Sequence, residues 1–288
     1  RRDGRKGPDL PVLTDLREGI VLGARNLNLY FDCDKDGEPF FYANREEDGT
    51  ANFQHNVNIG IPHVVGRALL ALRFAEEAAD VPIPAESLEM LEHYLKYSFD
   101  NEDCLNSFDD PKREDRRFVE FHNFREGLYG LNALIKEKDS QWARATSRKM
   151  IRRLNAITDE DGVWSMALIE KIGMKDRSEG MNYMNASRMI DPLLENWRLT
   201  QNPVAFELSK KYAKVTLERA FTADGRFQKP FEKYPETGHI HSVTSSLSGI
   251  TELAILTGDQ AMLERCLLIF NNGLPEYFSS WGWGDEVM

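Results

Sequence analysis

The 288-residue chain is 41% hydrophobic and 29% charged and carries a formal net charge of −11. So acidic a chain lacks the basic stripe that holds duplex nucleic acid, and no apolar run reaches the ~18 residues that a bilayer-spanning helix needs. Neither a nucleic acid nor a membrane is therefore expected as a partner. Cys33, Cys104 and Cys266 are odd in number and widely spaced, which suggests neither a disulfide framework nor a CxxC metal site.

In chain order, apolar residues at three- and four-residue spacing predict helices almost throughout. Leu13, Leu16, Ile20, Ala24 and Leu27 give a first helix over about 10–28, with Pro11 where an N-terminal turn accepts it. The acidic stretch Asp32-Cys33-Asp34-Lys35-Asp36-Gly37 matches the first half of a calcium loop. Its twelfth position would be Ala43 instead of a bidentate glutamate, so an acidic turn is expected and calcium at Asp32, Asp34 and Asp36 is not. Further helices are predicted over about 62–79, 85–99, 120–138, 140–157, 182–199, 203–220, 240–257 and 259–274, nine in all. Pro192 either kinks its helix or marks a start at Asp191-Pro192.

The helices repeat in pairs. Short polar breaks at Ala79-Asp80, Lys138-Asp139, Gln201-Asn202 and Gly258-Asp259 recur at intervals of 59, 63 and 57 residues. Two helices in each interval imply stacked αα-hairpins. The expected fold is an all-α toroid of helical hairpins in two concentric layers, one domain over 1–288. The helices at about 10–28, 85–99, 140–157, 203–220 and 259–274 should form the outer layer. The long connections at 31–60, 100–119, 158–181 and 221–239 should gather at one pole and carry the function.

Five of six histidines, His55, His63, His122, His239 and His241, fall at that pole, and His93 lies in the other layer. The segments that open the inner helices add Arg125, Glu126, Asn182, Tyr183, Trp281 and Trp283. Indole faces stack on sugar rings, and inner-helix N-termini favour an anionic or hydroxyl-rich ligand. Glycoside hydrolysis needs two carboxyl groups, one protonated and one ionised. Asp109, Asp110, Glu126, Glu179, Asp285 and Glu286 face the pole. Glu126 and Glu286 are the preferred catalytic pair, with Asp285 as substitute for Glu286. Burial one turn into its helix should raise the Glu126 pKa toward that of a general acid. His55, His122, Arg125, Asn182, Tyr183, His239, His241, Trp281 and Trp283 are the substrate-binding candidates.

With the hairpin repeat and these pole motifs, the chain resembles the (α/α)6-barrel glycoside hydrolases. It is nearest the β-L-arabinofuranosidase type and more distantly similar to the unsaturated glucuronyl hydrolases. Gly238-His239, Leu253-Ala254-Ile255-Leu256-Thr257-Gly258-Asp259 and Gly282-Trp283-Gly284-Asp285-Glu286 carry the resemblance. It implies cleavage of a polysaccharide-derived saccharide, a uronoside or an arabinofuranoside. It also implies an (α/α)6 barrel whose last helices are lacking here, to come from a missing C-terminal segment or a second chain. In the arabinofuranosidase pattern a glutamate matched by Glu286 precedes zinc-binding cysteines. No cysteine follows Glu286 here, which speaks against zinc and a cysteine nucleophile, so no cofactor is expected. The alternatives are a sugar epimerase or polysaccharide lyase using His or Tyr, and a non-catalytic helical-repeat binding protein.

Overall fold

The computed structural model describes residues 15–54, 61–99, 118–119, 121–173, 175–176, 186–228 and 240–278. Ten α-helices fall among them: α1 (Leu16–Leu27), α2 (Ile61–Ala79), α3 (Ala85–Phe99), α4 (Phe121–Lys138), α5 (Gln141–Ile157), α6 (Met166–Lys171), α7 (Ile190–Thr200), α8 (Pro203–Ala220), α9 (Ile240–Thr257) and α10 (Gln260–Leu268). The tenth helix, α6, is a short one inside the connection expected to be a plain loop. Among the described residues strands are confined to short pairs, as the scarcity of alternating patterns implied. β1 (Phe31–Asp32) pairs with β2 (Glu38–Pro39), β3 (Tyr42–Arg45) with β4 (Ala51–Gln54), and β5 (Phe118–Val119) runs parallel to β6 (Lys175–Asp176). That last pair joins two of the long connections to each other, at the pole where they were expected to meet.

The helices form two layers. α2, α4, α7 and α9 pack in succession as the inner layer, and α1, α3, α5, α8 and α10 pack outside them. One continuous core runs from Ala24 to Cys266 and includes the fully buried Leu69, Leu91, Leu128, Met150, Leu193 and Tyr212. The chain is therefore an all-α toroid of αα-hairpins. The outward flank of the last described hairpin leaves Ile255, Leu267 and Phe270 exposed.

Each short turn uses the same local device. Asp80, Asp139, Gln201 and Gly258 end the four inner helices with positive φ, at 54°, 49°, 56° and 65°. A left-handed residue lets the amide fold back onto the last helical carbonyls, as Asp139 does to Ile135 (3.0 Å) and Gln201 to Trp197 (2.7 Å). In three of the turns the next residue caps the outer helix. Ser140, Asn202 and Asp259 accept from the amides of Ala143, Val204 and Met262. At the opposite ends of α5 and α8 a second device recurs. Thr158 bridges Trp164, and Phe221 bridges Phe227, around Gly162 and Gly225 at φ of 82° and 87°. A Cβ on Gly162 would meet the Lys211 carbonyl oxygen at 3.0 Å, and one on Gly225 the Leu268 carbonyl carbon at 2.5 Å. Each turn thus presses on the backbone of the next outer helix.

Three boundaries differ from the sequence reading. The helix expected over about 10–28 begins at Leu16, after an extended Asp15 whose carboxylate caps it by accepting from the Arg17 amide at 2.8 Å. The helix expected over 182–199 is regular only from Ile190. Pro192 has no amide to give the carbonyl of Arg188, so residues 188–189 form a turn after a helical Ala186-Ser187. Of the two outcomes open for Pro192, the start is the one seen. The helix expected over 259–274 is α-helical only to Leu268, then passes through a π-turn at Ile269–Gly273 and a 3-10 turn at Leu274–Glu276. Gly273 lies against Gly225 there: a Cβ on it would sit 2.5 Å from the Gly225 carbonyl oxygen.

Candidate active site

The four left-handed turns put the inner helices in a common register. Counting back from each, Arg67, Glu126, Arg188 and Ser245 occupy one level, and Leu70, Tyr129, Asp191 and Ser248 the level one turn further on. Polar groups gather at both levels.

The level nearer the long connections is a cationic clamp around one carboxylate. Glu126 Oε1 accepts from Arg67 Nε at 2.9 Å and from Arg125 Nε and Nη2 at 3.1 and 2.5 Å. Glu126 is 1% exposed. Burial alone would push its pKa up, but Arg125 and then Arg67 outweigh burial and hold it below the usual glutamate range. This corrects the sequence expectation: a glutamate gripped by two guanidiniums keeps its charge and has no proton to donate at neutral pH. Arg125, a substrate-binding candidate from the sequence, spends its guanidinium on Glu126. His63, in the first turn of α2, is buried beside the Phe41 ring at 5.6 Å. Burial, with repulsion from Arg67, lowers its pKa to about 4, so the imidazole is neutral at pH 7.

The next level is acidic. Asp191, in the first turn of α7, is mostly buried. Desolvation first, then the charges of Glu252 and Glu195, push its pKa up to about 7, against the pull of Arg125 and a hydrogen bond with Tyr129. Tyr129 itself is raised well above its ordinary value by burial and by Asp191. Below them Glu195 accepts from Asn132 Nδ2 (3.2 Å) and pairs with Arg73. Asn132 also donates to the Pro192 carbonyl (2.8 Å) and accepts from Asn196 (2.8 Å). Glu252 pairs with Arg198 and, being half-buried, is raised.

Of the site residues read from the sequence, Glu126 and Arg125 come together as described. His122 and His241 lie in the first turns of α4 and α9, and their side chains are outside the described residues. His55, Asp109, Asp110, Glu179, Asn182, Tyr183, His239, Trp281, Trp283, Asp285 and Glu286 lie outside them altogether. Asp191, Tyr129, Glu195 and Arg67 escaped the sequence reading, which sought chemistry at helix starts. Aligning the breaks would have exposed them, since Glu126 then stacks between Arg67 and Arg188. Among the described residues no group of three or more His, Cys, Asp or Glu could hold a metal. Asp32 is occupied as a cap, accepting from the Asp34 amide at 3.0 Å, and Asp36 takes a left-handed turn.

No family model matches the sequence, and no curated protein does. Solved structures do share the fold. A D-mannose isomerase matches with a TM-score of 0.65 at 12% identity, over 96% of this chain and 75% of that one. The cellobiose 2-epimerase of Bacillus thermoamylovorans matches with 0.63 at 10% identity, over 91% and 70%. A GH76 alpha-mannanase of Bacteroides thetaiotaomicron matches with 0.55 at 12% identity, over 94% and 74%. At such identities the likeness is one of architecture.

Proposed function

We propose that this chain is a sugar-processing enzyme whose first reaction to test is glycoside hydrolysis, with Asp191 as general acid. The observation that carries the proposal is the divergence of two carboxyl groups on adjacent inner helices, one buried and one mostly so. Glu126 is held ionised by Arg125 and Arg67, whereas Asp191 keeps its proton to about pH 7. Pairs of titratable groups pushed apart by their surroundings mark acid and base roles. Asp191 would protonate the glycosidic oxygen, and an ionised carboxylate would stabilise the cationic sugar. Asp285 and Glu286 are the candidates from the sequence for that carboxylate, since the charge of Glu126 is already met by Arg67 and Arg125. Arabinofuranosides and uronosides are the substrates the sequence resemblance suggests, and the mannanase among the fold neighbours adds mannosides.

A second reading is sugar isomerisation or epimerisation, in which one group removes and returns a proton beside a carbonyl. The neutral imidazole of His63 and the near-neutral Asp191 suit it, and two of the fold neighbours are such enzymes by name.

Incubation with arabinofuranosides, uronosides, mannosides, cellobiose and mannose in D2O, followed by NMR, separates the readings. New reducing ends without carbon-bound deuterium identify a hydrolase; deuterium at the carbon beside the anomeric centre identifies an isomerase or epimerase. On whichever substrate reacts, Asp191→Asn should lower kcat about a hundredfold or more and remove the limb of the pH profile near 7. Turnover close to that of the unaltered protein would end the assignment of Asp191.

A further inference from the structure

We infer that the cleft between α5 and the α7–α8 turn, on the short-turn side of the toroid, binds a multiply charged oxyanion of the phosphate or sulfate class. The inference is independent of the reaction proposed above.

Helix α5 departs from its chain in charge. It carries Arg144, Arg148, Lys149, Arg152 and Arg153 without one acidic residue, in a protein of net charge −11. Arg144, Arg148 and Arg152 follow one another at four-residue spacing and so share a face. Like charges so spaced weaken a helix, and only Arg144 of the row has a bond in the fold among the described residues. Arg144 is tied down, donating to Asp139 Oδ1 at 2.6 Å and to the Leu199 carbonyl at 2.9 Å. Arg148 and Arg152 are exposed and have no ion-pair partner among the described residues.

The three guanidiniums line a cavity of about 370 Å³ together with Ser147, Asn196, Thr200 and the first residues of α8. Among the described residues no carboxylate lines it, and Asp139 pairs with Arg144. The other wall reinforces the sign of the charge. Asn202 caps the 18-residue α8 by accepting from the Val204 amide at 3.1 Å, and Pro203 opens the helix. The positive end of that helix therefore faces the same space as the arginines. Guanidinium forks match tetrahedral oxyanions in two-point contacts, whereas the hydroxyls of Ser147 and Thr200 already donate to the carbonyls of Arg144 and Asn196. The volume takes a phosphate with part of a small molecule attached, so free phosphate and a phosphorylated or sulfated sugar are both accommodated.

The test is thermal unfolding with inorganic phosphate or sulfate added at constant ionic strength, chloride making up the balance near about 0.15 M. The unaltered protein should show a saturating rise in Tm with either oxyanion. In R148A/R152A the Kd should weaken about tenfold or more, the loss of at least one charge-assisted contact. Both positions are exposed, and Arg152→Gln alone, with a smaller loss, serves if the double variant folds poorly. A rise of the same size in the variants, or none in the unaltered protein, overturns the site. If free phosphate and sulfate bind, titration with glucose 6-phosphate shows whether the attached sugar tightens the contact.

Discussion

The contact between α2 and α4 and the contact between α7 and α9 join successive inner helices in the same repeat, yet they treat buried charge in opposite ways. The first is close and cationic. A Cβ on Gly66 would lie 1.7 Å from the Glu126 carbonyl oxygen, and the same carboxylate that extends from this backbone is clamped by Arg67 and Arg125. The second is stitched by Ser187 to Ser246 at 2.8 Å, and Gly249 there sits against Ile190 and Asp191. Here Asp191 meets Glu252 and Glu195 instead of two arginines. Both carboxyl groups are mostly buried, so burial cannot explain why one is held low and the other high. The charged neighbours decide it: Arg125 on the same helix and Arg67 on α2 around Glu126, Glu252 on α9 and Glu195 on the same helix around Asp191.

The largest effect that could break this comparison is steric. Gly66→Ala drives a methyl into the α4 backbone, which cannot yield as a side-chain tip can. It should cost more than about 4 kcal/mol, measured by urea unfolding. A change below about 1 kcal/mol would show that the α2–α4 approach is looser than described. Next comes the clamp. Glu126→Gln leaves two guanidiniums facing a neutral amide and should cost about 3 kcal/mol.

Asp191 should behave in the reverse sense. Its folded pKa of about 7 lies above the ordinary 3.8, so the stability it lends is complete below that ordinary value and is lost as pH rises through about 7. Asp191→Asn should therefore gain stability on the order of 1 kcal/mol above pH 7 and flatten the decline between pH 4 and 8. For Glu126 the sign is opposite, since its lowered pKa gives stability present above about 4.5 and lost in acid. Comparing the two variants across pH sharpens the contrast most directly: a parallel pH dependence would contradict it. The smallest effect concerns the turns. Gln201 adopts φ 56° where the equivalent residue of the last hairpin is Gly258. Gln201→Gly should stabilise by roughly 0.5–1 kcal/mol, with Gly258→Gln costing about as much.

Much of the architecture could be read without coordinates because helices and their breaks are local events. The three- and four-residue spacing fixed where helices run. The left-handed residues at Asp80, Asp139, Gln201 and Gly258 coincide with the short breaks that defined the repeat, since a chain turning within two residues needs such a conformation. Pro192 narrowed its helix to two outcomes for the same reason, a missing amide acting on its own helix, and packing chose the start at Ile190 over a kink. The π-turn after Leu268 gave no such signal. It accompanies packing against Gly225, some forty residues earlier in the chain.

The site was legible only in part. The sequence alone determined that Glu126 sits early in an inner helix and that Arg125 is beside it. It could not give the glutamate's charge, because Arg67, the second guanidinium, comes from the preceding hairpin. Asp191 passed as a helix start because its character arises from Tyr129, Glu195 and Glu252, contributed by three different helices or turns. Periodicity is written into each segment of the chain, and so the toroid followed from the sequence. Protonation depends on distances between segments that only packing sets, and so the division of labour between Glu126 and Asp191 was decided by the tertiary structure.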